Sequence, residues 1–273
     1  MWRFPGFIDI CTDVSCGSWE SISNTALRSG YTSLIAAPTA ERVYTQKADV
    51  LQALDEPSRT AVCDYAKLAF ITPENIQTID DWADEVPGAL LDFSVFSEMG
   101  GFVQMNLLSR LFNRWPAELP ICVRGTENQI GSAIFMAQVH SRKMHVCSVV
   151  SKAEIEMVDE AKRDGLSVTC DVHPLSLLFS CEPGSDPGML KRMGTEEDRQ
   201  ALWQHFDAID CFSSAGYISP RGKNGEALSI MTPLLFSMRN AEMLTDEDIL
   251  LRCCLNPAKL FGIRLASLRT HWE

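Results

Sequence analysis

Eight short apolar runs recur along this chain, at 7–12, 31–37, 61–71, 88–94, 120–124, 144–150, 167–173 and 207–213, and helical segments lie between most of them. The runs are the length of buried strands. SWESISNTALRSG (18–30) reads as an amphipathic helix with Gly30 at its C-terminal end, the position where a residue free of a Cβ relieves a left-handed turn. Further helices are predicted around Ala48–Leu54, over 102–115 and 128–143, and over 151–165, where Ser151 and Glu154 have capping-box spacing. Three more fall over Glu196–Gln204, Glu226–Asn240 and Asp246–Cys254. Strand–helix alternation implies parallel strands joined by right-handed crossovers. Eight such units are the pattern of a closed (β/α)8 TIM barrel, a fold that commonly fills about 250 residues as one domain. A doubly wound open sheet is the alternative, but no GxGxxG follows the first strand. The loop-richest tract, 181–199, is expected over the barrel mouth.

Composition narrows the partners. A formal net charge of −12 argues against nucleic acid and against an anionic membrane surface, since both need a basic face. No apolar run approaches the roughly 20 residues that span a bilayer, and MWRFPGFIDI lacks the features of a signal peptide. The ten cysteines (11, 16, 63, 122, 147, 170, 181, 211, 253 and 254) form no CxxC pair, and several sit inside apolar strands as small hydrophobes. That usage fits a reducing, cytoplasmic setting.

Four segments carry a family resemblance. FPGFIDICTDV resembles the first barrel strand of dihydroorotases, whose pattern is PG-[LF]-ID-x-H-x-H. LPICVRGTE resembles their fifth-strand segment, MHVCSVVSKAEIEMVDEAKRDGLSVTCDVHP their sixth and seventh strands, and ALWQHFDAIDCFSSAGYISP the eighth. The match covers nearly the whole chain. It implies a metal-dependent hydrolase barrel of the amidohydrolase type, here without the accessory β-domain that active relatives build from both termini. A single domain over 1–273, excised from a longer multifunctional chain, is the expected organisation.

The departures fall where that family does its chemistry. By resemblance, the two first-strand His ligands correspond to Cys11 and Asp13, the bridging Lys to Leu90, the fifth- and sixth-strand His to Arg124 and Ser148, and the catalytic Asp to Ala215, with Gly216 after it in place of a His. The substrate-binding Arg and Asn correspond to Ser15 and Thr39. Opening a cyclic amide needs a metal-activated hydroxide, a polarised carbonyl and a carboxylate that moves the proton. Leu90 and Ala215 cannot donate to a metal, and Arg124 brings a cation.

The pattern is similar to that of the inactive dihydroorotase-like domain of fungal multifunctional pyrimidine proteins. The resemblance then implies no catalytic residues, no metal or other cofactor, and a scaffolding role between carbamoyl phosphate synthetase and aspartate transcarbamoylase domains, with a homodimer contact. Two rivals remain. One is a divergent amidohydrolase with a one-metal site at Cys11, Asp13 and Cys122. The other is a ligand-sensing pocket. Alternate spacing puts Cys11 and Asp13 on one barrel face, and an Asp13–Arg124 ion pair across the vacated centre is expected. His145 reads as structural, and His173 as a mouth-lining residue with no assigned role.

Overall fold

The computed structural model describes residues 4–14, 17–38, 43–96, 101–182, 184, 190, 192–217 and 226–263. Ser15 and Thr39 lie outside these residues. The described elements run β1 (Phe7–Asp13), α1 (Trp19–Arg28), β2 (Tyr31–Ala37), α2 (Lys47–Asp55), β3 (Asp64–Lys67), β4 (Ala69–Phe70), β5 (Ala89–Asp92) and α3 (Gly101–Arg114). They continue with β6 (Ile121–Arg124), α4 (Glu127–His140), β7 (Met144–Val146), α5 (Lys152–Arg163), β8 (Val168–Val172), α6 (Leu175–Leu178), α7 (Glu196–Gln204) and β9 (Cys211–Phe212). The last elements are α8 (Glu226–Asn240), α9 (Asp246–Leu250) and α10 (Asn256–Phe261).

Every strand pairing is parallel, in the order β1-β2-β3 and β4-β5-β6-β7-β8-β9. The two sheets are one staircase broken at Leu68, whose N–H reaches Ala36 O at 3.0 Å while the Ala69 N–H reaches Gly88 O at 3.0 Å. The third apolar run is therefore strand only from residue 64, with that step inside it. Closure back to β1 passes through a side chain. Asp9, fully buried on β1, accepts the Ser214 backbone N–H at 2.8 Å and the Ser214 hydroxyl at 2.6 Å, just beyond β9. Thr12 donates a third hydrogen bond to the same carboxylate at 2.6 Å. Eight strand positions thus form the α/β barrel read from the sequence, β3 and β4 counting as one.

Helices pack outside. Ser151 caps α5 by accepting the Glu154 N–H, and the Glu154 carboxylate accepts the N–H groups of Val150 and Ser151, the reciprocal arrangement that its spacing predicts. Trp82 and Trp115 are buried edge-to-face at 6.1 Å between barrel and helices. Asp246–Cys254 is not one helix: α9 ends at Leu250 and a wider π-type turn spans Leu251–Leu255. Pro257 explains the interruption, because it has no N–H to give the Cys253 carbonyl.

Candidate functional site

At the C-terminal ends of the strands, where barrels of this kind place their chemistry, the interior is apolar. Leu90 (0% exposed) and Ala215 (3%) belong to a buried cluster with Ile8, Ile10, Phe70 and the thiols of Cys11, Cys122 and Cys147. Leu90 projects inward from β5 in register with Cys122 of β6, so a hydrocarbon occupies the barrel axis.

Cys11 and Asp13 do not share a face. A bulge between Ile10 and Thr12 puts Cys11 at φ 56°, a left-handed conformation uncommon for a residue with a Cβ. Cys11 is buried and Asp13 exposed, against the alternation expected from spacing. The Cys11 Sγ lies 3.5 Å from Cys147 Sγ, and Cys122 completes the thiol triad. Hydrogen bonds from Cys122 and then Cys147 hold the Cys11 thiol well below its ordinary range. Arg124 is ion-paired with Asp92 at 3.7 Å, on the neighbouring strand, rather than with the expected Asp13.

A closed polar network is buried between β7 and β8. His145 on β7 directs Nε2 to Asp171 Oδ1 at 2.9 Å and Nδ1 to Thr169 Oγ1 at 2.8 Å, with both His145 and Asp171 fully buried. Thr169 donates onward to the Met144 carbonyl, so it accepts from Nδ1–H, and both ring nitrogens act as donors. Burial alone would depress the imidazole, but the hydrogen bond and charge of Asp171 outweigh it and hold the ring above its usual value. Ser213 donates to the other Asp171 oxygen. The ligand-capable atoms of His145, Cys147 and Asp171 lie within 4.8 Å of one another. Both His145 nitrogens are nonetheless committed.

A hydrolytic metal centre fits this set poorly. Such a centre keeps a coordination position open to substrate and is held by His, carboxylate or carboxylated Lys donors. Of the described residues singled out by resemblance, Leu90, Ala215, Ser148 and Arg124 offer a hydrocarbon, a methyl, a hydroxyl and a guanidinium, Cys11 a buried thiol, and Asp13 an exposed carboxylate. Three thiols, exposed by 1%, 0% and 2%, converge there as soft donors.

What survives of the mouth is a cavity of about 120 Å³ lined by Arg124, Cys147, Ser148, His173, Ser176, Arg192 and Gly216, among others. Ser148, like Cys11, has a left-handed backbone (φ 57°), and Gly216 turns at φ 83° beside it. The expected mouth position of His173 is confirmed, its ring stacked on Tyr217 at 6.0 Å. Leu190 and Arg192 of the 181–199 tract also line this cavity, as expected of a loop over the mouth.

Sequence reasoning missed Asp9, Cys147 and Asp171. An acidic residue inside the apolar runs GFIDI and VTCDV was the available signal for two of them. Cys170 and Cys211 are buried packing residues, as read. His140 and His205 are half-buried, His205 pairing with Asp159 at 2.6 Å. His271 lies outside the described residues. Among the described residues no helix is long and apolar enough to cross a membrane.

No family model matches the chain. It is 29% identical over 270 residues to multifunctional protein pyrABCN of Emericella nidulans, covering 95% of this chain and 12% of that protein. It is 27% identical over 280 residues to multifunctional protein CAD of Squalus acanthias, again spanning 12% of the relative. Among solved structures, the inactive dihydroorotase-like domain of the Chaetomium thermophilum CAD-like multifunctional protein superposes with a TM-score of 0.83 at 24% identity, covering 96% of this chain and 80% of that one. The L-hydantoinase of Arthrobacter aurescens follows the same fold with a TM-score of 0.78 at 19% identity, over 94% of this chain and 71% of that one. The chain has the α/β barrel fold of these structures and is homologous to the dihydroorotase-like region of CAD-type multifunctional pyrimidine proteins.

Proposed function

We propose that this chain is a catalytically silent dihydroorotase-like barrel that serves as a structural module in pyrimidine biosynthesis, holding carbamoyl phosphate synthetase and aspartate transcarbamoylase units in one assembly. The observation that carries the reading is the burial of Leu90 and Ala215 within an apolar cluster at the positions of the bridging Lys and catalytic Asp. The described side chains that pack in the same cluster as Leu90 and Ala215 are hydrocarbon and thiol. A domain that keeps its barrel while packing its centre with hydrocarbon is supported as a fold rather than as a catalyst.

The test is made in the full-length polypeptide. Replacing the barrel by a flexible linker of similar span should change the assembly's mass in light scattering while each flanking activity persists. Unchanged mass would remove the scaffolding role. The three converging thiols favour one second reading, a remodelled metal site. Zinc-dependent hydrolysis of a cyclic amide, lost in Cys11→Ser, is the result that would select it.

A further inference from the structure

Among the described residues, three buried polar atoms of the side chains that line the residual mouth cavity have no hydrogen-bond partner: Ser148 Oγ, Ser176 Oγ and His173 Nε2. A buried polar group left unpaired costs about 1–3 kcal/mol, so three around one small cavity need an explanation. The tautomer of His173 gives its direction. The Leu175 backbone N–H donates to Nδ1 at 3.1 Å, which makes Nδ1 the acceptor and places the ring proton on Nε2. His173 therefore offers an N–H donor to the cavity, and stacking on Tyr217 fixes its aim. Two serine hydroxyls can add two further donors.

The charge in the same wall is positive. Arg124 stands where the family's fifth-strand ligand would stand, and its contact with Asp92 is long at 3.7 Å. Arg192, by contrast, is committed to Glu154 at 2.5 Å and closes the rim. A set of N–H and O–H donors around a guanidinium is complementary to an oxyanion and hostile to a cation. At roughly 30 Å³ per water, the 120 Å³ cavity has room for about four water-sized groups. That is far below the roughly 300–1,000 Å³ of ordinary ligand pockets. The occupant is small.

We propose that the mouth of this barrel is an anion site: Arg124, His173 Nε2–H and the hydroxyls of Ser148 and Ser176 bind one small oxyanion, a phosphate or carboxylate group. The inference rests on the reading that the hydrolytic centre is gone, since it uses the same end of the barrel. The substitution of ligand His by Arg124 then replaces one kind of binding with another, and the three orphaned donors gain acceptors.

The test is calorimetric titration of the purified chain with inorganic phosphate and, separately, with acetate, at constant ionic strength set by chloride. Saturable binding of phosphate, of acetate or of both is expected, and the tighter of the two identifies a tetrahedral or a planar group. Arg124→Met and Ser176→Ala should each weaken it at least tenfold. Ser176→Ala also supplies a control on folding: deleting a desolvated hydroxyl should leave the unliganded protein as stable as before or more so. No saturable binding of either anion would overturn the proposal and leave the cavity to water. Binding that persists undiminished in both variants would overturn it too, by placing the anion elsewhere on the surface. Neither result bears on turnover, so failure here is separable from failure of the functional reading.

Discussion

Restoring the family's lysine should be the most damaging change at the barrel axis. Leu90 is fully buried in hydrocarbon and thiol. Leu90→Ala removes buried methyl groups and leaves a cavity, at about 2–5 kcal/mol. Leu90→Lys fills the volume but carries a charge into a site packed with hydrocarbon and thiol. Such a lysine gives up its proton: with an ordinary value of about 10.4, deprotonation at pH 7 costs about 1.36 kcal/mol for each of 3.4 units, or roughly 4.6 kcal/mol. Because the folded form then binds fewer protons than the unfolded form, stability rises with pH until about 10.4. Between pH 7 and pH 9 the variant should regain about 2.7 kcal/mol relative to the parent chain. Paired urea titrations at those two pH values measure the difference. A loss below about 1 kcal/mol at pH 7, or a loss independent of pH, would show a hydrated or anion-lined axis at Leu90 and refute the packed-centre argument.

The buried pair beneath the mouth gives a second test. His145→Ala strands the Asp171 carboxylate and should cost about 3–5 kcal/mol, whereas His145→Leu with Asp171→Leu should cost less than the two single changes together. Additivity to within about 0.5 kcal/mol in denaturation would deny their coupling. A third concerns pH. Burial holds the His173 imidazole down to about 3 from its usual 6.5. Between those values the unfolded chain carries the extra proton, so the stability from His173 is complete above pH 6.5 and declines by about 1.4 kcal/mol per unit below it. His173→Phe, with its ring kept against Tyr217, should flatten this decline between about pH 6.5 and pH 5. Asp9, pushed up to about 6 by burial, acts with the opposite sign in both proteins and cancels in the comparison. An unchanged slope would mean that the imidazole is solvated.

The barrel was legible because its two periodicities are strong. Apolar runs of strand length alternate with capped helices, and helix ends such as Ser151–Glu154 and Gly165 obey local rules that need no tertiary context. The turns at Asn75–Asp81 and Ala83–Glu85 were missed because short 3-10 segments lack the 3.6-residue signal of a helix. The break at Leu68 depends on how β2 and β5 diverge, which no local pattern records. At the site, the loss of donors at Leu90 and Ala215 was readable residue by residue. The orientation of Cys11 was not: the alternation argument assumes a regular strand, and the bulge after Ile10 turns Cys11 inward toward Cys122 and Cys147 while leaving Asp13 exposed. The orphaned donors at Ser148, His173 and Ser176 come from two segments, the end of β7 and the turn after β8, so only the closed fold brings them together.

The most direct test of the central claim is turnover. Purified chain, loaded with zinc, would be mixed with dihydroorotate and with carbamoyl aspartate in separate reactions, and ring opening and closure followed by absorbance. No rate above the protein-free blank in either direction is the expected result, because Leu90 and Ala215 leave neither a bridging base nor a proton-moving carboxylate at the barrel axis. A zinc-dependent rate that disappears in Cys11→Ser would contradict it and make the thiol triad a working metal centre.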